Sequence, residues 1–456
     1  MSLLFSASLV AQMWNLGRTF LPALDEGVYL CAARQMTAGA VPYRDFFLSH
    51  PPYSMLGAAA GLAVTRGDVP AFNALYTIWV FSAVFAVYFV TLRVSGQLIP
   101  AILGAFLFVT FPEFALRDAR FFSLRQASLP FLAFGILLLL LKERQVAAGI
   151  LFGLFAGCVA SNVAVAACVL LAVLASDVLG GRSAREAWRA WRPACVAFGV
   201  TTLVLYLPLF LIPNGYADLL AFQANRRASP WGPRLSGFFT QTLPANAPIL
   251  LAGLFGCVSR DRRLRAVALS NLLALPILLL ASRSYYPHYL AILAVGLALS
   301  AGAFIAFLPA GRWRIAGSTL IVAAVSATAG PKLWEELIRH RTPELFSVVR
   351  ALRETPEPLF SFEPIYSLYS HRQLTPHAHV CDMRYFRVQR MDPGDALFLD
   401  VLERSRTVLV EPSMRPFLTA RRREALRRDF DPVYRDPDHV VLVRKSSSPR
   451  ESPVTK

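Results

Sequence analysis

Between Met1 and about Gly330, apolar runs alternate with short charged connections, and no water-soluble core could cover that much contiguous apolar surface. Runs of roughly 15–25 residues are of membrane-crossing length. They fall at Ser2–Phe20, Val69–Leu92, Leu98–Phe111, Phe122–Leu141, Val146–Ala160, Val163–Ala175, Ala194–Ile212, Ala245–Val258, Ala266–Ala281, Tyr289–Leu308 and Ile315–Ala329, about eleven in all. Val146–Ala160 and Val163–Ala175 read either as two helices joined at Ser161-Asn162 or as one broken helix. Hydrophobic residues make up 55% of the chain and charged residues 16%, which excludes a disordered, collagen-like or disulfide-scaffold protein. The fold class is an α-helical polytopic membrane protein. Met1–Trp14 lacks a basic leader and a small-residue cleavage site, so it reads as a retained first helix.

A net charge of +17 raises the thought of nucleic acid, but its placement argues otherwise. With the N-terminus in the cytoplasm, the inner connections collect the arginines Arg182, Arg185, Arg189 and Arg192, then Arg260, Arg262, Arg263 and Arg265. Few acids oppose them there, as the positive-inside bias requires. The charge therefore sets topology, the expected surroundings are lipid, and nucleic acid is not expected as a partner. An odd number of spans puts the C-terminal segment outside.

From about Pro331 the texture changes: acids and bases balance, and no run is long enough to cross a membrane. Pro358–Phe362, Thr407–Val410 and His439–Val443 read as strands; Ala396–Arg404 and Thr419–Arg428 read as helices. We expect a membrane domain over residues 1–330, a small extracytoplasmic α/β domain over 331–445, and a polar tail over 446–456. No CxxC or HExxH spacing occurs, and His371, His377 and His379 read as a solvated loop; no cofactor is assigned, and a divalent metal stays open. Cys31 and Cys381 both fall outside and are available to pair; the other four cysteines read as small buried apolar residues.

The stretch richest in chemistry is the first outer loop, Leu21–Tyr53. Asp25 and Glu26 stand together where the first helix leaves the membrane. Val28–Ala38 can form a short amphipathic helix, with Gly39 suited to its C-terminal cap and Pro42 preventing its resumption. Tyr43-Arg44-Asp45-Phe46 and His50-Pro51-Pro52 follow. The acids serve either as a membrane boundary and helix cap or as functional carboxylates. Their company within one short loop favours function, since a boundary needs only one or two polar residues.

Asp25-Glu26-Gly27-Val28-Tyr29, Ala33-Arg34-Gln35, Gly39, Pro42 to Phe46 and His50-Pro51-Pro52 resemble the first outer loop of GT-C glycosyltransferases. The nearest likeness is to bacterial members of glycosyltransferase family 39, whose architecture protein O-mannosyltransferases and the lipid A aminoarabinose transferase share. Tyr286 to Leu290 resembles the outer start of a late helix in that family. The resemblance implies a polyprenyl-phosphate-linked sugar donor and a glycan, lipid or protein acceptor at the outer membrane face. It also implies a first-loop acid as catalytic base, here Asp25, with Glu26 as the fallback. One departure stands out: Leu124 to Ala127 and Ser161 to Val163 do not carry the family's usual residues at the starts of those helices.

Such a reaction needs a base for the acceptor hydroxyl and cations for the departing phosphate. One carboxylate acting by direct displacement inverts the anomeric centre. Candidate phosphate or sugar contacts are Arg44, His50, Arg117, Asp118, Arg120, Arg283 and His288, with Arg125, Arg226, Arg227 and Arg234 as further outer cations. The rival readings are a lipid-linked-sugar transporter or flippase and a non-catalytic envelope scaffold. The near absence of ionisable residues inside the spans disfavours transport, and the intact acid pair disfavours the scaffold.

Overall fold

The structure, a computed structural model, describes residues 24–46, 48, 50–111, 122–141, 144–213, 215, 217, 219–220, 231–258, 262–281, 287–339, 343–375 and 394–446. The expected first span, Ser2–Phe20, lies outside the described residues. Every later apolar run is helical. In chain order the helices are α1 (Leu24–Thr37), α2 (Tyr53–Val64), α3 (Val69–Ser95), α4 (Leu98–Thr110), α5 (Leu124–Leu140), α6 (Gln145–Cys158), α7 (Ser161–Leu179) and α8 (Ala184–Leu211). There follow α9 (Trp231–Gly237) with a π-helical turn over Phe238–Thr242, α10 (Leu243–Phe255), α11 (Arg262–Ala281), a 3-10 turn over Pro287–Leu293, α12 (Ala294–Phe307) and α13 (Arg312–Arg339). Among the described residues four stretches, Val69–Ser95, Ser161–Leu179, Ala184–Leu211 and Leu290–Phe307, are long and apolar enough to cross a membrane alone. The run around Ser161-Asn162 is two helices, because Val159 turns extended and ends α6.

Within the bundle, helices α8, α13 and α2 differ from the sequence expectation. Helix α8 starts at Ala184, ten residues before its apolar run. Ser183 and Glu186 form a reciprocal capping box that satisfies the first free N–H groups, so the helix nucleates in its arginine-rich part. Helix α13 continues through Pro331, where the composition changes. Helix α2 was not anticipated; at 12 residues it is only about 18 Å long and packs beside α1.

Close packing in the bundle relies on small residues. Gly149, Gly153 and Gly157 on α6 face Ala194, Thr201 and Leu205 on α8. A Cβ on Gly149 would stand 2.2 Å from the Ala194 carbonyl oxygen, so only glycine permits this approach. Contacts also fix which helix ends lie together. Glu26 on α1 meets Asn73 at the start of α3, and Arg125 at the start of α5 meets Ser161 at the start of α7. At the other end, Ser176 and Gly180 receive Arg262 from the start of α11, and Asp177 accepts from Arg182 and Trp191. The helices therefore alternate in direction, as a chain threading a bilayer must.

After α13 come α14 (Pro343–Arg353), β1 (Leu359–Phe360), α15 (Pro364–Ser370), α16 (Asp395–Arg404), β2 (Thr407–Val410), α17 (Ala420–Asp429), β3 (Phe430–Arg435) and β4 (Val440–Arg444). The sheet order is β1-β2-β4-β3, with β1 and β2 parallel and the other pairs antiparallel. The expected strands and helices are present, and α14, α15 and β3 are additions. Phe360, Phe362, Phe398, Val408, Leu426 and Phe430 form a core of their own beneath this sheet. Burying each such aromatic is worth about 1.5–3 kcal/mol. Helix α15 stands apart from that core: Ile365 and Leu368 join the larger core that includes α1.

Candidate active site at the first-loop helix

Helix α1 begins at Leu24, four residues before the expected Val28, which puts Asp25 and Glu26 in its first turn. The helix is less amphipathic than the sequence suggested: residues Glu26 through Ala33 are all buried, and only its C-terminal end is exposed. Gly39 then takes φ +93°, the left-handed turn that lets the chain leave the helix.

Glu26 is fully buried, with Asn73 Nδ2 donating to its Oε1 at 2.7 Å. Among the described residues its Oε2 and Asn73 Oδ1 have no hydrogen-bond partner. Burial pushes the Glu26 carboxyl up to about 8, against the smaller opposing pull of Asn73 and the Phe122 backbone N–H. It is therefore mostly neutral at pH 7.

Around this carboxyl lies an aromatic floor. The Tyr29 ring meets the His50 ring edge-on at 5.7 Å and the Phe122 ring at 6.3 Å. Phe122 also meets Phe72 at 5.5 Å and Tyr76 at 5.4 Å. Tyr76 ties this floor to the start of α5 by donating to the Ser123 carbonyl at 3.2 Å. Glu26 and His50 are thus joined through Tyr29 and Phe122, and they are the two expected site residues that described contacts bring together.

Arg44 takes a different place. It is held by Asp45 through two parallel bonds of 2.9 and 2.8 Å, and both side chains are exposed. Asp45 also accepts the Val41 N–H at 2.7 Å. The Arg44 guanidinium and that N–H hold the Asp45 carboxyl down at about 2. The Tyr43 hydroxyl donates to the His50 carbonyl. Tyr43-Arg44-Asp45-Phe46 is consequently a self-tied turn that anchors the loop before His50.

Asp25 and His288 have described positions, in the first turn of α1 and in the 3-10 turn Pro287–Leu293. Arg117, Asp118, Arg120 and Arg283 lie outside the described residues, as do His377, His379 and Cys381. Cys31 is buried on α1, with its thiol directed at the Pro364 carbonyl at 3.3 Å. Among the described residues no group of three His, Cys, Asp or Glu side chains is placed to hold a metal.

A polar cluster beside this site had been visible only as two unmatched segments. Arg125 donates to Ser161 Oγ at 3.2 Å, and Asn162 Nδ2 donates to Ser128 Oγ at 3.1 Å and to the Phe155 carbonyl at 2.9 Å. The two segments that depart from the family pattern are therefore in contact, and Arg125 is a half-buried cation at the same bundle end as Glu26.

No family model matches this sequence, and no curated protein matches it. Solved structures do. ArnT from Cupriavidus metallidurans in the apo state is 15% identical, with a TM-score of 0.68 over 98% of this chain and 99% of that one. The same protein bound to undecaprenyl phosphate is 16% identical, with a TM-score of 0.67 over the same shares. The likeness runs through both the helical bundle and the C-terminal α/β segment. The chain thus shares its fold, a bundle of apolar helices followed by a small α/β segment, with ArnT.

Proposed function

We propose that this protein is a GT-C glycosyltransferase. It moves a hexosyl or pentosyl unit from a polyprenyl-phosphate-linked donor to an acceptor at the extracytoplasmic face of a bacterial inner membrane. The observation that carries this reading is the whole-length likeness to a structure bound to undecaprenyl phosphate. The acid pair at the start of α1, in a loop with the family's motifs, supports it.

Asp25 is the base. It takes the acceptor hydroxyl proton as that oxygen bonds to the anomeric carbon. The bond from this carbon to the phosphate oxygen breaks, and polyprenyl phosphate leaves as an anion, with inversion. A base must be ionised at working pH. The neutral, buried Glu26 meets that need poorly, which supports Asp25 as the base and makes Glu26 the neighbour that anchors it. His50 and Arg125 stand at the same bundle end as Glu26 and are the described groups we assign to donor contact. Arg117, Asp118, Arg120, Arg283 and His288 remain further candidates for the phosphate or sugar. Arg44 belongs to the turn. The C-terminal α/β segment lies outside, on the same side as α1.

The test is turnover in proteoliposomes supplied with undecaprenyl-phosphate-linked hexoses and pentoses, read as release of undecaprenyl phosphate. Turnover by wild type and its loss in Asp25→Asn are expected. Undiminished turnover by Asp25→Asn and Asp25→Ala sinks the base assignment. Transbilayer movement of the donor without release sinks the enzyme and favours the transporter.

A further inference from the structure

The C-terminal segment meets the first-loop helix at one unusually close point. Helix α15 lies across α1, and a Cβ on Gly27 would stand 2.6 Å from the Ile365 backbone nitrogen and 2.9 Å from its Cα. Both obstructing atoms are backbone, so no side-chain rotation relieves the clash; the two helices would have to part. Two further bonds flank the crossing. The Cys31 thiol donates to the Pro364 carbonyl at 3.3 Å, and Arg34 Nη2 donates to the His371 carbonyl at 3.5 Å. Ile365 is 1% exposed and Gly27 lies two residues from Asp25, so the contact is both dry and next to the proposed base.

We propose that α15 is a positioning element for the reaction, fixing the height of Asp25 and Glu26 through its backbone contact with Gly27. This rests on the glycosyltransferase reading above. The physical reason lies in the loop's own connections. On the α3 side, helix α1 is held by the bond from Asn73 to Glu26, by the Phe122 N–H and by the ring contacts of Tyr29. Side-chain bonds and ring contacts of this kind yield by tenths of an ångström at little cost. Backbone contact from the opposite side removes that freedom, and a general base must be held to within a fraction of an ångström. The C-terminal segment would then be part of the catalytic apparatus. Gly27 and Ile365 are positioning residues; neither needs to touch the substrate.

The experiment compares Gly27→Ala with wild type in the turnover assay, using the undecaprenyl-phosphate-linked sugar that wild type consumes. A misplacement near 1 Å lowers kcat on the order of 10- to 100-fold, a larger change than the one in KM for the donor, because the base must be placed more exactly than a binding contact. Maleimide labelling of Cys31 gives a readout independent of activity. In a background with Cys158, Cys168, Cys195, Cys257 and Cys381 changed to Ala, Cys31 is protected in wild type and labelled faster in Gly27→Ala. Ile365→Gly adds no bulk but frees the α15 backbone at the contact, and it carries the same expectations should Gly27→Ala fail to accumulate. A kcat within about twofold of wild type overturns the proposal, as does an equal change in kcat and KM with Cys31 still protected. Wild type that consumes no lipid-linked sugar sinks the functional reading first and this inference with it.

Discussion

Glu26 offers the sharpest quantitative prediction. Its ordinary value of 4.5 rises to about 8 in the folded protein, and its side chain is fully buried. The sign follows from proton counting. Between these two values the folded protein holds the Glu26 proton and the unfolded chain has lost it. Stability therefore falls as pH rises, by about 1.4 kcal/mol per unit, and levels off above the folded value. The accumulated cost at pH 8 is on the order of 5 kcal/mol. Glu26→Gln removes the titration while keeping an oxygen for Asn73 Nδ2. The expected outcome is a variant whose stability advantage over wild type is small at pH 5 and widens through pH 8. The assay is thermal unfolding of both proteins in the same detergent at pH 5, 6, 7, 8 and 9. Taking the difference at each pH cancels every other titrating group. A difference that stays flat across this range, or that widens toward acid, refutes the buried neutral carboxyl.

Other consequences are read from single contacts. Glu411 accepts the buried N–H groups of Phe362 and Glu363 at 2.7 and 2.9 Å, so Glu411→Ala strands both and costs about 2–5 kcal/mol, measurable by denaturant unfolding. Gly149→Val places a branched side chain against the Ala194 carbonyl and separates α6 from α8; a loss of folded protein after detergent extraction is expected, and normal yield and melting would contradict it. Tyr366→Phe breaks the 2.7 Å bond to His439 and lowers stability by about 1 kcal/mol, again by unfolding. A protease site inserted at the C-terminus is expected to be cut from the periplasmic side of intact cells; cutting only in inverted vesicles would reverse the orientation.

The apolar runs were legible because hydropathy leaves them one option: in hydrocarbon every backbone polar group must be satisfied within the segment, so the runs from Val69 onward become helices whatever their neighbours. That argument fails where length or partner decides. Tyr53–Val64 is apolar but too short to span, and its helix depends on packing against α1, which no local pattern records. β3 escaped because Pro432 and its mostly exposed face hide the strand that β4 completes. The early start of α8 is a different kind of miss, since Ser183 and Glu186 carry a capping signature that the arginines around them obscured.

At the site the division is sharper still. The company Asp25 and Glu26 keep singles them out as candidates in the sequence, but it does not show that Glu26 is buried. That depends on Asn73, which lies 47 residues farther on. The same limit applies to Tyr43-Arg44-Asp45-Phe46. As a string it offers a phosphate-binding arginine; in space two of that arginine's five N–H donors go to Asp45, and Tyr43 ties the turn to His50. Gly27 marks the far end of this scale. A glycine inside a helix only weakens it, by about 0.5–1 kcal/mol relative to alanine. Its presence between the acid pair and Val28 makes sense once Ile365, from the other end of the chain, occupies the space a side chain would fill.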